Sequence, residues 1–404
     1  MRKASEKVTG EDKAAVLSGR DFVVFSDDWG RHPFSCQHIM QHFLPQNRIL
    51  WVNTIGMRLP RLTTYDLKRG VEKIISWTVP ASGSEQTLPD GLRVIAPVMI
   101  PFSTVPLVRT FNRWSVIRSV RAAMFDWGMR APILLATQPL ASEFVGGFGE
   151  SAVVYYCVDD FANWPDMNIP ELVRSMEEKL LDQADLVVAV SDHLLRTRPA
   201  RKGETRLLTH GVDVDHFRRA RTVAGKTNFH GSKISPVIGF FGLLDNRMDW
   251  ELVSSLVARR QEWAFVFIGN AQVPLMELTR FGNFRHVPAV SYEELPGHAA
   301  AFDVAILPYV VDASTAGISP LKLKEYLALD IPVVTTPLSG VMEFRDILYI
   351  AAGTEEFDAA IAGALQSGRK QHQSDWIEGE AWVTKAETLS EWMDSLLLQK
   401  RCTA

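Results

Sequence analysis

Short runs of β-branched and aromatic residues recur along this chain, separated by amphipathic stretches of helix length, and that alternation restricts the fold more than any other feature. A strand that is apolar on both faces must be covered on both, so such runs predict parallel sheets with helices above and below. A first set lies at 22–26, 48–53, 92–96, 132–136, 152–157 and 185–190, and a second at 237–241, 263–268, 284–287, 303–307, 331–335 and 348–350. Two such sets in 404 residues predict two α/β domains, each long enough to bury its own core. The stretch 213–235 is polar and basic without a sustained apolar period, and reads as a linker. The expected division is a tail at 1–20, a first domain at 21–212, the linker at 213–235, a second domain at 236–375, and a closing helix at 376–404 able to cross back to the first domain.

Composition removes several classes. Charged residues at 22% and hydrophobic ones at 47% belong to an ordinary globular chain, not a disordered one. A net charge of −4 with no zinc spacing or recognition motif argues against nucleic acid as a partner. Cys36, Cys157 and Cys402 are odd in number, far apart and without a CxxC, which fits a reducing cytoplasm. The first twenty residues are charged and lack the apolar core of a secretory signal. The longest apolar run, 94–108, is broken by Pro97, Pro101 and Pro106 and is too short to span a bilayer. The first strand runs into Asp27-Asp28-Trp29-Gly30-Arg31-His32-Pro33 and not into GxGxxG, which weakens a single-domain dehydrogenase reading. Gly146-Gly147-Phe148-Gly149 precedes a strand and reads as a turn.

The stretch from Ser319 to Ala328, followed by Ile331-Pro332-Val333-Val334, points to a ligand. Serine then proline predicts a helix beginning at Ser319, because the hydroxyl accepts from a free N–H and proline lacks the donor that would be orphaned. The helix start and Lys322 in its first turn form an anion site suited to phosphate. Glu325 lies one turn on, where a carboxylate can accept two hydroxyl hydrogens. Phosphate beside a diol is a nucleotide. The competing reading is a capped helix with a solvated Lys322–Glu325 pair.

Around this stretch lie 301–309, Ala184-Asp185-Leu186-Val187-Val188-Ala189-Val190-Ser191, His210-Gly211-Val212-Asp213 with Phe217, Phe240-Phe241-Gly242 and Phe267-Ile268-Gly269. Together they resemble the GT-B-fold glycosyltransferases, group 1-like, of bacterial exopolysaccharide and surface polysaccharide assembly, over most of the chain. The resemblance implies two Rossmann-like domains facing a cleft, the first on the acceptor side and the second holding a nucleotide sugar. It further implies a UDP- or GDP-linked donor, no separate cofactor, a lipid-linked or polysaccharide acceptor, and a cytoplasmic enzyme at the inner face of the plasma membrane.

Ligands of open parallel sheets bind beyond the carboxyl ends of the strands, so the loops there supply the candidates. Asp159 and Asp160 follow the strand at 152–157; Asp159 is the candidate base for the acceptor hydroxyl and Asp160 a pocket residue, with turn capping as the rival role. Similar inverting enzymes carry an aspartate four residues after a tyrosine, as Asp159 follows Tyr155. Asp27, Asp28, Arg31 and His32 are candidates for the acceptor or sugar pocket, and no metal is expected of them. Gly242 would let a diphosphate approach the backbone, Arg247 would pair with it, and Tyr309 would stack on or border the base. Retaining members pair Glu325 with a glutamate eight positions earlier, which here is Gly317, and this favours inversion. A nucleotide-sugar epimerase and a non-catalytic nucleotide-sugar-binding scaffold are the rival functions. Arg109, Arg113, Arg118 and Arg121, interleaved with Trp114, Phe125 and Trp127, suggest a helix for an anionic membrane surface, or else a solvated basic face with its aromatics in the core.

Overall fold

The computed structural model describes residues 16–30, 34–54, 88–101, 103–164, 167–223, 235–319, 321–368 and 373–403. Two parallel sheets organise it. In the first, β1 (Asp21–Ser26), β2 (Arg48–Asn53), β3 (Leu92–Ile95), β4 (Ile133–Ala136), β5 (Ala152–Cys157), β6 (Leu186–Ala189) and β7 (Glu204–Leu207) lie in the order β3-β2-β1-β4-β5-β6-β7. In the second, β8 (Val237–Phe241), β9 (Ala264–Ile268), β10 (Phe284–Val287), β11 (Val304–Leu307), β12 (Val333–Thr335) and β13 (Tyr349–Ile350) run β10-β9-β8-β11-β12-β13. Strand β5 reads Ala-Val-Val-Tyr-Tyr-Cys and is buried at every position, as a strand covered on both faces must be. Both sheets reverse direction of growth once, between β1 and β4 and between β8 and β11, and the crevice at each reversal is the natural ligand position.

Strand β7, Glu-Thr-Arg-Leu, is an edge strand without a buried residue, so it lacked the apolar signal that marked the others. The stretch 213–235, expected as a linker, contains a helix, Val214–Val223, whose Val214 and Phe217 are buried in the core of the second sheet. Among residues 214–220 of this helix only these two are buried, which is too few for a periodic pattern to stand out.

The C-terminal helix Trp382–Thr403 packs on the other domain, with Trp382, Ala386, Leu389, Met393 and Leu397 buried among the residues of the first core. Lys400 meets Asp185 at 2.7 Å. The two passages of the chain between domains run side by side, since the Val212 N–H donates to the Glu380 carbonyl at 2.9 Å and the Trp382 N–H to that of Val212 at 3.2 Å. Gly211 is required there: a Cβ would stand 2.6 Å from the Trp382 ring.

Candidate active site

At the reversal of the second sheet, Gly242 follows β8 with φ +135° and Gly269 follows β9 with φ +144°, conformations that side chains resist. A Cβ on Gly269 would fall 1.9 Å from the Gly242 carbonyl oxygen, and one on Gly242 would fall 1.9 Å from Cε of Lys322. The two strand ends and the lysine therefore pack together only because both glycines are bare. Lys322 lies in the helix Leu321–Ala328, whose Leu323, Tyr326 and Leu327 are buried, and the Tyr326 hydroxyl accepts the Phe241 N–H at 2.9 Å. That bond fixes the helix to the end of β8.

The described helix starts at Leu321, with Ser319 half-buried two residues ahead of it; Pro320 is outside the described residues. Lys322 Nζ stands 5.7 Å from the ring centroid of Phe240 and 5.9 Å from that of Tyr309. Tyr309 is only 4% exposed, edge-on to Phe240 and close to Lys322. Burial raises the Glu325 carboxyl to about 7 against the opposing pull of Lys322. A buried carboxyl beside a cation and two bare strand ends is a site prepared for hydroxyl donors and an anion.

Across the cleft, the Asp160 N–H donates to Oδ1 of Asp159 at 2.8 Å. Burial raises the Asp159 pKa, while the Arg247 guanidinium of the second domain and the Trp164 N–H act the other way. Arg247 is itself held by Asp245 at 2.6 Å. Asp160 is tied into the first domain. It is buried, accepts from Arg198 at 2.8 Å and from Asn163 at 2.9 Å, and anchors the loop that presents Asp159. Arg198 also meets Glu177 at 2.9 Å, which accepts from the Tyr155 hydroxyl at 2.7 Å. Asp27 and Asp28 are half-buried at the β1 end, with Asp27 accepting from Gln138, just past β4, at 3.0 Å. Arg31 and His32 lie outside the described residues.

Gly317 touches the first domain. Its carbonyl accepts from the Ser191 hydroxyl at 3.2 Å, and a Cβ there would stand 3.3 Å from Cβ of Asp160. A glutamate at this position would crowd the loop that carries Asp159. Sequence reasoning did not assign Gly269, Ser191 or the buried Lys324. Gly269 follows its strand as Gly242 does, which was a usable signal; Gly317, the partner of Ser191 in the other domain, lies 126 residues away, and the partners of Lys324 lie 56 to 115 residues away.

Residues 235–367 match the family model of glycosyl transferases group 1. Several solved structures share the whole arrangement. Anabaena HepE in complex with UDP-glucose is 13% identical with a TM-score of 0.58, over 95% of this chain and 98% of that one. Sucrose-phosphate synthase of Thermosynechococcus elongatus is 15% identical with a TM-score of 0.61, over 94% and 97%. The fold is GT-B. An α,α-trehalose-phosphate synthase of Burkholderia xenovorans, in complex with glucose-6-phosphate, shares this GT-B fold at 13% identity and a TM-score of 0.62, over 94% and 100%. A Bacillus subtilis (strain 168) protein, provisionally named a teichuronic acid biosynthesis glycosyltransferase, TuaH, is 25% identical over 183 residues. The match spans 43% of this chain and 46% of that relative, about half of each.

Proposed function

We propose that the protein transfers a sugar from a UDP- or GDP-linked donor to a lipid-linked or polysaccharide acceptor in bacterial surface or exopolysaccharide synthesis, at the inner face of the plasma membrane. The observation that carries the donor half is the grouping of Lys322, Glu325, Gly242 and Gly269 at the reversal of the second sheet. Lys322 and the bare strand ends take the diphosphate, and Glu325 takes the ribose hydroxyls. The group 1 match over the same domain and the UDP-glucose bound by HepE support this assignment. The name of the Bacillus relative supports a surface polysaccharide as the acceptor.

In the transfer, Asp159 accepts the acceptor proton as its oxygen attacks the sugar carbon, the bond to the diphosphate breaks, and the configuration inverts. The loop is anchored through Asp160, which meets Arg198 and Asn163. The reaction is read as metal-independent. Calorimetric titration with UDP- and GDP-sugars, with and without chelator, tests the donor half. Lys322→Ala should weaken binding by about 1.5–3 kcal/mol, the range for hydrogen bonds to charged groups. Unchanged affinity would sink the donor assignment. Incubation with donor alone, then with lipid-linked acceptors, separates transfer from epimerisation and from binding without turnover.

A further inference from the structure

The helix Pro106–Trp127 is 22 residues long, about 33 Å, and buries one side through Asn112, Ser115, Val116, Val120 and Met124. Its opposite face is apolar and open to solvent. Leu107 is 81% exposed, Trp114 58% and Phe125 87%, with Phe111 beside them, so of the aromatics that the alternative reading put in the core only Trp127 packs against it. These residues recur at helical spacing on one stripe together with Arg118 and Arg121. The guanidinium of Arg118 lies 5.7 Å from the Trp114 ring centroid, and Arg121 Nε donates to the Gly147 carbonyl at 2.6 Å. Four arginines stand against one acid, Asp126, along the helix.

We infer that this face lies on an anionic lipid bilayer, with Leu107, Phe111, Trp114 and Phe125 entering the headgroup boundary and Arg118 and Arg121 meeting lipid phosphates. Large apolar and aromatic side chains flanked by arginine match that interface. A second copy of the chain fits poorly, since a two-fold contact would set arginine against arginine. The helix also runs in the right direction. Its last turn sits at the amino ends of the strands, where Arg48 donates to the Trp127 carbonyl at 2.8 Å, so its Leu107 end lies toward the carboxyl ends and the cleft rim. A bilayer along this helix passes beside the candidate site, where a lipid-carried acceptor has to enter. The surface does not depend on the transfer chemistry, and donor titration reports on that separately.

The test is co-sedimentation of the full chain with phosphatidylcholine vesicles, with and without phosphatidylglycerol. Binding is expected only with the anionic lipid, falling as salt screens the arginines. Leu107→Ser with Phe125→Ser should weaken it about tenfold or more, the direction set by lost apolar burial. Arg118→Glu should weaken it too and flatten the salt dependence. The substituted residues are exposed, so circular dichroism and the thermal midpoint should be unchanged; should the double serine variant misfold, Arg118→Glu and the wild-type salt dependence still decide. Absence of binding to anionic vesicles at low salt, or equal binding to both lipids, overturns the inference. A concentration-dependent dimer that Phe125→Ser abolishes, without vesicle binding, also overturns it and assigns the face to a second copy.

Discussion

Asp159 and Asp160 are neighbours with opposite duties. Asp160 is committed to Arg198 and Asn163, whereas Asp159 receives the Asp160 and Trp164 N–H groups and faces Arg247 across the cleft. Asp159→Asn should therefore lower turnover by roughly 10²–10⁴-fold with donor affinity unchanged, measured by steady-state kinetics beside calorimetry. Near-normal turnover, or retention of configuration in the product, excludes Asp159 as the base. Because burial raises its pKa, the acid limb of the pH profile should lie above the ordinary aspartate range. Glu325 makes a separate prediction. Its carboxyl titrates near 7, and only the ionised form accepts both ribose hydroxyls, so donor binding should strengthen as pH rises through 7. At pH 6 the affinity should be about tenfold below its plateau, and Glu325→Gln should be weak and flat with pH. An intact nucleotide sugar is the proper probe, because its diphosphate stays ionised throughout; a pH-independent wild type would remove Glu325 from the ribose.

The helix Leu321–Ala328 faces two ways. Lys322 points to the strand ends, and Lys324, two residues on, is buried at the interdomain passage against Glu380, Thr209 and the His210 carbonyl. Glu380 also meets Lys385 at 2.8 Å, and burial and the neighbouring lysines lower the pKa of His210 to about 3, keeping it neutral. Burial pulls Lys324 down to about 8 although Glu380 opposes it, so the lysine depends on its counter-charge. Glu380→Gln should cost about 3–5 kcal/mol in denaturant unfolding, the range for stranding a buried charge, and adding Lys324→Met should recover much of the loss. Additive losses in the pair would mean the two residues act independently. None of this cluster was legible in the sequence, because its members come together only when two chain passages meet. The strands were legible, since continuous apolar runs such as 152–157 have no other use in a soluble chain. Helix Val214–Val223, with two buried residues among 214–220, and edge strand β7, with none buried, had no such signature. At the site, Lys322 and Glu325 are a local pattern visible in one helical turn, whereas the burial of Tyr309 follows from β11 lying inside the sheet.

As a whole, the molecule is two cores joined by two adjacent crossings, and the second crossing ends as part of the first core. The first domain is thus incomplete until the helix Trp382–Thr403 is in place, although it follows the entire second domain in sequence. Leu389 and Met393 are essentially unexposed in that core, on the helix that packs against Ser35–Phe43. Replacing Leu389 by alanine should cost about 2–5 kcal/mol, and the loss should fall on the first domain. Differential scanning calorimetry can separate the two domains, because a nucleotide sugar bound at Lys322 and Glu325 as proposed should raise the transition of the second. The expected result is a lower first-domain transition, with the ligand-induced rise of the other retained. A uniform fall of both transitions would mean that the domains unfold as one unit. In that case the crossings transmit stability as well as position, and the helix belongs to both cores.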